Sequence, residues 1–364
     1  MEKIELDLGK RSYQILVGQG ILAETGRLIR EKGLKGRVMV VTNPTVAGLY
    51  LEMLRDSLEA AGYAVDTFLI PDSETAKSLE QANQIYDRLA ELEYDRKSIL
   101  IALGGGVVGD LTGFVAATYL RGLRFVQVPT TLLAQVDSSV GGKVAVNHFK
   151  GKNLIGCFYQ PELVISDVGV LKTLPQLELS SGMAEVIKHG IILDAHYYQL
   201  ILGELKSIRE ANPEIMTWVV IGSCKIKADV VHNDETETGL RTILNFGHTI
   251  GHACESITRY EYYKHGEAVA LGMLAAVRIA DRLQLLEDTG LESSLTQMLQ
   301  ELNLPVTLPG LAVDELIHRL YLDKKVEYGK LRWVMPQRIG KVTVTTAVPE
   351  SVVAEVLIEM GGVR

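Results

Sequence analysis

Residues 98–120 read SILIALGGGVVGDLTGFVAATYL: an unbroken apolar run, three consecutive glycines, then a second run with helical spacing. A strand buried on both faces has no solvent side to alternate with. A short continuous apolar segment closed by glycine therefore predicts a central strand of a parallel sheet. The same grammar recurs in RVMVVT (37–42), YAVDTFLI (63–70), RFVQVP (124–129) and LVISD (163–167), with amphipathic stretches between them. The opening segment MEKIELDLGKRSYQILVG alternates like a strand. Strand and helix in turn are the pattern of βαβ units with helices on both faces of the sheet. Beyond Leu174-Pro175 helical periodicity takes over, across 183–202, 213–233, 243–257, 267–285, 291–302 and 312–321. A short β pair, RWVMP and KVTVTT, and a helix from Pro349 close the chain. The fold class expected is α/β plus all-α. An N-terminal α/β domain with a mostly parallel sheet occupies 1–175, a mainly helical C-terminal domain occupies 176–364, and the active site lies in the cleft between them.

Composition narrows the function. The chain has 364 residues, enough for two domains, and 47% hydrophobic against 23% charged is ordinary globular composition. Lys and Arg number 37 against 45 Asp and Glu, a net charge of −8 without any basic block, which argues against nucleic acid as a partner. No run of 18 apolar residues and no basic-then-apolar leader occurs, so the expectation is a cytoplasmic protein without a membrane partner. Cys157, Cys224 and Cys254 are widely spaced in apolar surroundings and read as reduced structural thiols.

In the first half the chemistry sits on strand ends. Gly104, Gly106 and Gly109 form a GxGxxG spacing at a helix start, where backbone N–H groups can meet a pyrophosphate. The motif does not fall in a first βαβ unit, and the next strand ends VQVPTT without an acid to hold a ribose hydroxyl. The reading is a nucleotide-binding domain for a dinucleotide held in a non-Rossmann way; a ligand-free tight turn is the plainer alternative. Farther on, Gly142-Lys143 lacks the earlier glycine of a P-loop, and Val144 stands where Ser or Thr is required. The Gly-rich segments that carry Lys143, Lys152 and Asn153 suit a compact anion such as a phosphate monoester.

The second half carries RTILNFGHTIGHACESITRYEYYKHG at 241–266, with three of the chain's eight histidines. His248 and His252 stand at i, i+4 on one helix face, about 6 Å apart along the axis. His265 opens a further apolar helix, so imidazoles from two helices can converge on a divalent metal, with a carboxylate completing the set. Glu185, in SSGMAEVIKHGIILD, is the best candidate because its neighbours Met183, Val186, Ile187 and Ile191 make an apolar face. A capping box needs the acid three residues after Ser or Thr, and Glu185 lies four after Ser181. A solvated i, i+3 pair with Lys188 is the remaining alternative. The pattern is not HExxH, so no metalloprotease base is present. Arg241, Asn245 and His252 add anion donors close by.

Taken together, the segments GGGVVGDLTGFVAATYLRG, QVPTTLLAQVDSSVGGKVAVN, GKNLIGCFYQP, SGMAEVIKHGII, DETETGLRTILNFGHTIGHA, HGEAVALGM and DKKVEYGKLR closely resemble the 3-dehydroquinate synthases, NAD-dependent sugar phosphate cyclases of the shikimate pathway. The resemblance covers nearly the whole chain. It implies a metal site of Glu185, His248 and His265, holding zinc or cobalt. It implies NAD contacts from Asn43, Glu74, Lys77, Gly105, Gly106, Val107, Asp110, Thr130, Thr131, Asp137, Lys143, Lys152, Thr173, Leu174 and Glu178. The substrate phosphate falls to Lys143, Lys152, Asn153, Asn245, His252 and one or both of Lys324 and Lys325, with Arg121 reaching over from the neighbouring subunit of a homodimer. Asp137, Lys188, Lys227 and Arg241 hold the carbon skeleton; together with Lys143, Asn245 and His252 they make the implied catalytic set. His252 thereby moves from the metal list to the phosphate list.

The implied reaction converts 3-deoxy-D-arabino-heptulosonate 7-phosphate to 3-dehydroquinate and phosphate. Oxidation, phosphate elimination, re-reduction, ring opening and an aldol closure follow one another, and NAD is not consumed. Two departures from the family pattern touch the adenosine contacts: Asn43 stands where a strand-end Asp is common, and PDSETAKSLE where Gly-Glu is more frequent. The alternatives are a sibling cyclase acting on a sugar phosphate without a carboxylate, a metal-dependent polyol dehydrogenase of related fold that would release NADH, and a non-enzymatic NAD-binding module.

Overall fold

The structure, a computed structural model, describes residues 1–322, 326–327 and 330–364. The apolar runs form the strands expected of them. β1 (Glu2–Leu6), β2 (Tyr13–Gly18), β3 (Val38–Thr42), β4 (Val65–Leu69), β5 (Ile99–Gly104) and β6 (Arg124–Pro129) precede a hairpin of β7 (Lys143–His148) and β8 (Gly151–Phe158), and β9 (Leu163–Asp167) follows it. One seven-stranded sheet has the order β1-β2-β9-β6-β5-β3-β4. Every pairing in it is parallel except β1 with β2.

Strand β5 is buried along its whole length because its two faces enter two different cores. Ile99, Ile101 and Leu103 pack with Val38, Val40, Val126 and Val128 on one side. Leu100 and Ala102 pack with Met39, Val41, Leu111 and Phe125 on the other. This period of two is why the segment shows no polar alternation. Strand β4 follows β3 to one side and β5 lies on its other side, so the chain reverses direction across the sheet at β3 and β5. Ligands of parallel sheets collect beyond the carboxyl ends of strands at such a reversal.

The structure refines several expectations. The Gly-rich segments around Lys143 and Lys152, to which no strand is assigned from sequence, form the antiparallel hairpin β7–β8. The helical stretch expected at 183–202 is two helices, Gln176–Leu193 and Ala195–Gly203, and Asp194 between them caps the second by accepting from Tyr197 N at 2.9 Å. The stretch expected at 243–257 is a 3-10 turn, Leu240–Asn245, and a helix, His248–Ile257, separated by Gly247 with φ of 78°. The chain forms two compact units, Met1–Leu174 with Met216–Glu235, and Pro175–Ile215 with Thr236–Arg364. Most of the Pro213–Asn233 helix therefore belongs to the first unit, although it lies far beyond residue 175 in sequence.

In the second unit the helices Gln176–Leu193, His248–Ile257 and His265–Arg282 meet through glycine. A Cβ on Gly266 would stand 2.0 Å from the carbonyl oxygen of Ser181, and one on Gly272 would stand 1.8 Å from that of Gly247. A helical glycine normally costs about 0.5–1 kcal/mol relative to alanine, so these positions reverse the usual ranking. Gly272→Ala should destabilise the protein by at least ~2 kcal/mol in urea unfolding, because the backbone it meets cannot move aside as a side chain could. Gly203→Ala, with nothing within 4 Å of the added carbon, should be neutral or stabilising. Equal stability of the two variants would contradict this account of the helix contact.

Candidate active site

Three imidazoles converge in the second unit. The ring centroid of His248 lies 5.3 Å from those of His252 and His265, and the latter two are 6.2 Å apart. The helix that starts at His248 carries two of these rings on one face, and the helix that starts at His265 brings the third. Glu185 enters from the Gln176–Leu193 helix with no exposed surface at all. Its Oε1 lies 3.6 Å from His248 Nε2 and 3.7 Å from His265 Nε2. Its Oε2 accepts from the Lys188 ammonium, itself buried. The i, i+3 pair weighed from the sequence is thus real, but it is enclosed by protein rather than solvated.

Buried carboxylate oxygens are expensive to leave unpaired, yet Oε1 of Glu185 has no hydrogen-bond donor among the described residues. His248 Nδ1 lies 3.1 Å from the carbonyl oxygen of Phe246. Donating its Nδ1 proton there leaves the Nε2 lone pair pointing toward Glu185. Ligand atoms of Glu185, His248 and His265 all lie within 4.8 Å of one another. One carboxylate oxygen and two imidazole nitrogens, gathered with lone pairs inward, suit zinc or cobalt. Cys254, on the same helix, does not compete: burial pushes its thiol up to about 12, and only the thiolate is a good ligand. Cys224 is likewise buried and pushed up to about 12. Cys157, expected in apolar surroundings, is instead exposed on β8.

Arg241 and Asn245 lie on the 3-10 turn that leads into this helix, and Arg241 is one of the largest fully buried side chains. Asn245 Nδ2 donates to Glu237 Oε1 at 2.8 Å. Glu178 pairs with Lys264 at 3.0 Å. Glu255, which the sequence reading passes over, is buried with Oε2 3.5 Å from His265 Nδ1. It stands seven residues after His248 and three after His252, so the helical stripe that flags the two histidines contains it as well.

In the first unit the expected nucleotide residues lie just past the carboxyl ends of adjacent strands: Asn43 after β3, Gly105 to Val107 after β5, Thr130 and Thr131 after β6. Asn43 caps the turn that follows it, accepting from Val46 N at 2.8 Å, and its amide donates to Asp72 at 2.9 Å. Thr130 Oγ1 is buried with no partner among the described residues. The glycines here serve close approach: a Cβ at Gly109 would meet Gln127 Oε1 at 2.8 Å and one at Gly113 would meet Val144 Cγ1 at 2.3 Å. Lys77 is buried and donates to Asp110 Oδ2 and Asn153 Oδ1, joining two expected NAD residues to an expected phosphate residue. Burial pushes the Asp110 carboxyl up, against the pull of the Lys77 ammonium. Glu74 accepts from Asn147 Nδ2 at 2.8 Å. Lys227 donates to Asp137 Oδ1 at 2.6 Å and also to the Asp137 carbonyl.

Thr173 and Leu174 end the first unit, and Thr173 Oγ1 donates to Val170 O at 3.0 Å. The hairpin does not bring its two lysines together. Lys143 pairs opposite Phe158, whereas Asn153, next to Lys152, is held at Asn147, about 13 Å farther along the strand. Arg121 is exposed at the end of the turn after the Gly106–Thr118 helix. Lys324 and Lys325 lie outside the described residues.

The dialysed protein should retain about one zinc per chain, measured by elemental analysis, because the donor set closes around a single point. His265→Ala should lose most of it. Full occupancy in that variant would remove His265 from the site.

Family models described as 3-dehydroquinate synthase N-terminal and 3-dehydroquinate synthase C-terminal match residues 67–181 and 182–326. A 3-dehydroquinate synthase of Desulforamulus reducens is 48% identical over 358 residues, which cover 98% of this chain and 99% of its own length. The crystal structure of 2-deoxy-scyllo-inosose synthase complexed with carbaglucose-6-phosphate, NAD+ and Co2+ is similar with a TM-score of 0.90 at 25% identity, over 98% of this chain and 100% of that one. The 2-epi-5-epi-valiolone synthase of Streptomyces hygroscopicus subsp. jinggangensis, with NAD+ and Zn2+ bound, gives 0.88 at 26%, over 96% of each chain. With two family models meeting end to end and a relative nearly half identical along its whole length, this chain belongs to the 3-dehydroquinate synthase family.

Proposed function

We propose that the chain converts 3-deoxy-D-arabino-heptulosonate 7-phosphate to 3-dehydroquinate and inorganic phosphate, as a carbon–oxygen lyase of the shikimate route to aromatic amino acids. One observation carries the reading into the site. In a chain 48% identical to a 3-dehydroquinate synthase, a buried carboxylate oxygen without a donor faces two imidazole nitrogens. Glu185, His248 and His265 hold a zinc or cobalt ion, which supplies Lewis acidity toward substrate hydroxyls. NAD, held beyond the carboxyl ends of β3, β5 and β6, supplies reversible hydride acceptance.

The chain's own residues bind and orient the substrate. Arg241 offers the substrate carboxylate two parallel donors from a rigid guanidinium, and its burial holds it in one orientation. Lys227 and Asp137, already paired, present a donor and an acceptor to the ring hydroxyls. Lys188 donates to the second oxygen of Glu185, a compensating charge where both side chains are enclosed by protein. Lys143, Lys152, Asn153, Asn245 and His252 bind the phosphate, assisted by Lys324 or Lys325. The proposed conversion needs phosphate to leave from C7 and the ring to open and reclose by aldol addition; bound NAD would supply the reversible oxidation at C5 that acidifies the C6 hydrogen.

In this reading the protein is a cytoplasmic homodimer in which Arg121 serves the neighbouring subunit's substrate. Leu120 and Arg121 both hold left-handed backbone, with φ of 50° and 67°, a conformation that costs free energy and is kept where function requires it. The identity to a 3-dehydroquinate synthase, about twice that to the two sibling cyclases, favours the heptulosonate phosphate over their substrates.

Substrate deuterated at C5 should give 3-dehydroquinate that keeps the deuterium at the corresponding carbon, read by mass spectrometry. Loss of the label to solvent, or one NADH accumulating per product, would place the chain in a different reaction class.

A further inference from the structure

The helix His248–Ile257 carries a buried carboxylate that the reaction as described does not use. Glu255 is 4% exposed and lies three residues after His252 and seven after His248, on the helix face that turns toward His265. Its Oε2 is 3.5 Å from His265 Nδ1, and the carboxylate and ring nitrogens of Glu255, His252 and His265 lie within 4.8 Å of one another. The other nitrogen of His265, Nε2, is the one that faces Glu185 Oε1 at 3.7 Å. The imidazole of His265 thus stands between two carboxylates, one on each nitrogen.

We infer that Glu255 is a positioning residue of the metal centre: it accepts the Nδ1 proton of His265 and so fixes the tautomer and ring orientation that present Nε2 to the ion. This inference rests on the reading of Glu185, His248 and His265 as metal ligands. A neutral imidazole has one N–H and one lone pair, and the acceptor on one nitrogen decides where the lone pair points. His248 has its own acceptor, the Phe246 carbonyl oxygen at 3.1 Å. The two ligands therefore differ: His248 is held by a neutral backbone oxygen and His265 by a charged side chain. The difference fits their settings. The His248 side chain is fixed inside its own helix start and is 11% exposed, whereas the His265 side chain is 30% exposed and needs an external hold on its ring. An acceptor carboxylate also makes the ring a more basic ligand, and its loss typically weakens metal binding 10- to 100-fold.

The test compares zinc affinity, by competition with a chromophoric chelator, in the full-length unaltered chain and in E255Q, E255L and H265A. Thermal unfolding of the metal-free forms and the visible spectrum of the Co2+-loaded forms are recorded alongside. E255L should bind zinc about 10- to 100-fold more weakly, and E255Q, which keeps an acceptor oxygen but not the charge, should fall between it and the unaltered chain. The Co2+ bands should shift in E255L, while the metal-free E255Q unfolds within a few degrees of the unaltered chain. A residue that merely filled space would lower the unfolding temperature and leave affinity and spectrum alone. If E255L does not fold, E255Q, of nearly equal volume, carries the comparison. Unchanged affinity and spectrum in the Glu255 variants beside a loss in H265A would overturn this assignment alone. No zinc binding by the unaltered chain would overturn the metal reading and this assignment with it.

Discussion

Removing a carboxylate completely from water costs several kcal/mol unless other charges and donors replace its hydration, and the second unit keeps Glu185 in that condition. One oxygen is satisfied by Lys188. The other is left to two imidazole nitrogens that lie too far away for hydrogen bonds and too close for indifference. A divalent cation among the three groups would give that oxygen the partner it lacks, which would couple metal binding to folding. The helix contacts, the histidine orientations and the burial of Arg241 are consistent with a unit assembled to hold that point fixed.

Backbone proximity makes the convergence geometrically possible. Imidazoles reach only a few ångströms from their Cα atoms, so helices that each contribute one ligand must pack closer than the usual 8–10 Å spacing allows with full side chains between them. Gly251, Gly266 and Gly272 supply that approach, since each would drive a Cβ to within 3.0 Å of a neighbouring backbone oxygen. The first unit uses glycine in the same way around Gly109 and Gly113. None of these five glycines itself has left-handed backbone, although Gly272 meets Gly247, which does.

Much of this was legible from sequence, and the parts that were not have physical reasons. The continuous apolar runs identified the parallel strands because double burial leaves few polar positions, and the i, i+4 spacing of His248 and His252 identified a helix face on which two imidazoles stand together. That periodicity could not decide which histidines would bind metal, since all three rings converge; the proposed choice of His248 and His265 rests on their Nε2 atoms lying 3.6 and 3.7 Å from Glu185 Oε1. The hairpin β7–β8 was hidden because glycines there read as loop. The Pro213–Asn233 helix sits largely with the first unit through tertiary contacts such as Lys227 with Asp137, which no local pattern announces. Glu255 was missed although it lies in the same stripe, because glutamate near a helix end reads as solvated.

The central claim, that Glu185, His248 and His265 gather around one ion, is most directly examined by X-ray absorption at the zinc edge of the reconstituted protein. The account predicts inner scattering from nitrogen and oxygen only, with the outer pattern of two imidazole rings and no sulfur shell. A sulfur contribution, or the scattering of three imidazoles in place of two, would contradict it and return Cys254 or His252 to the ligand set.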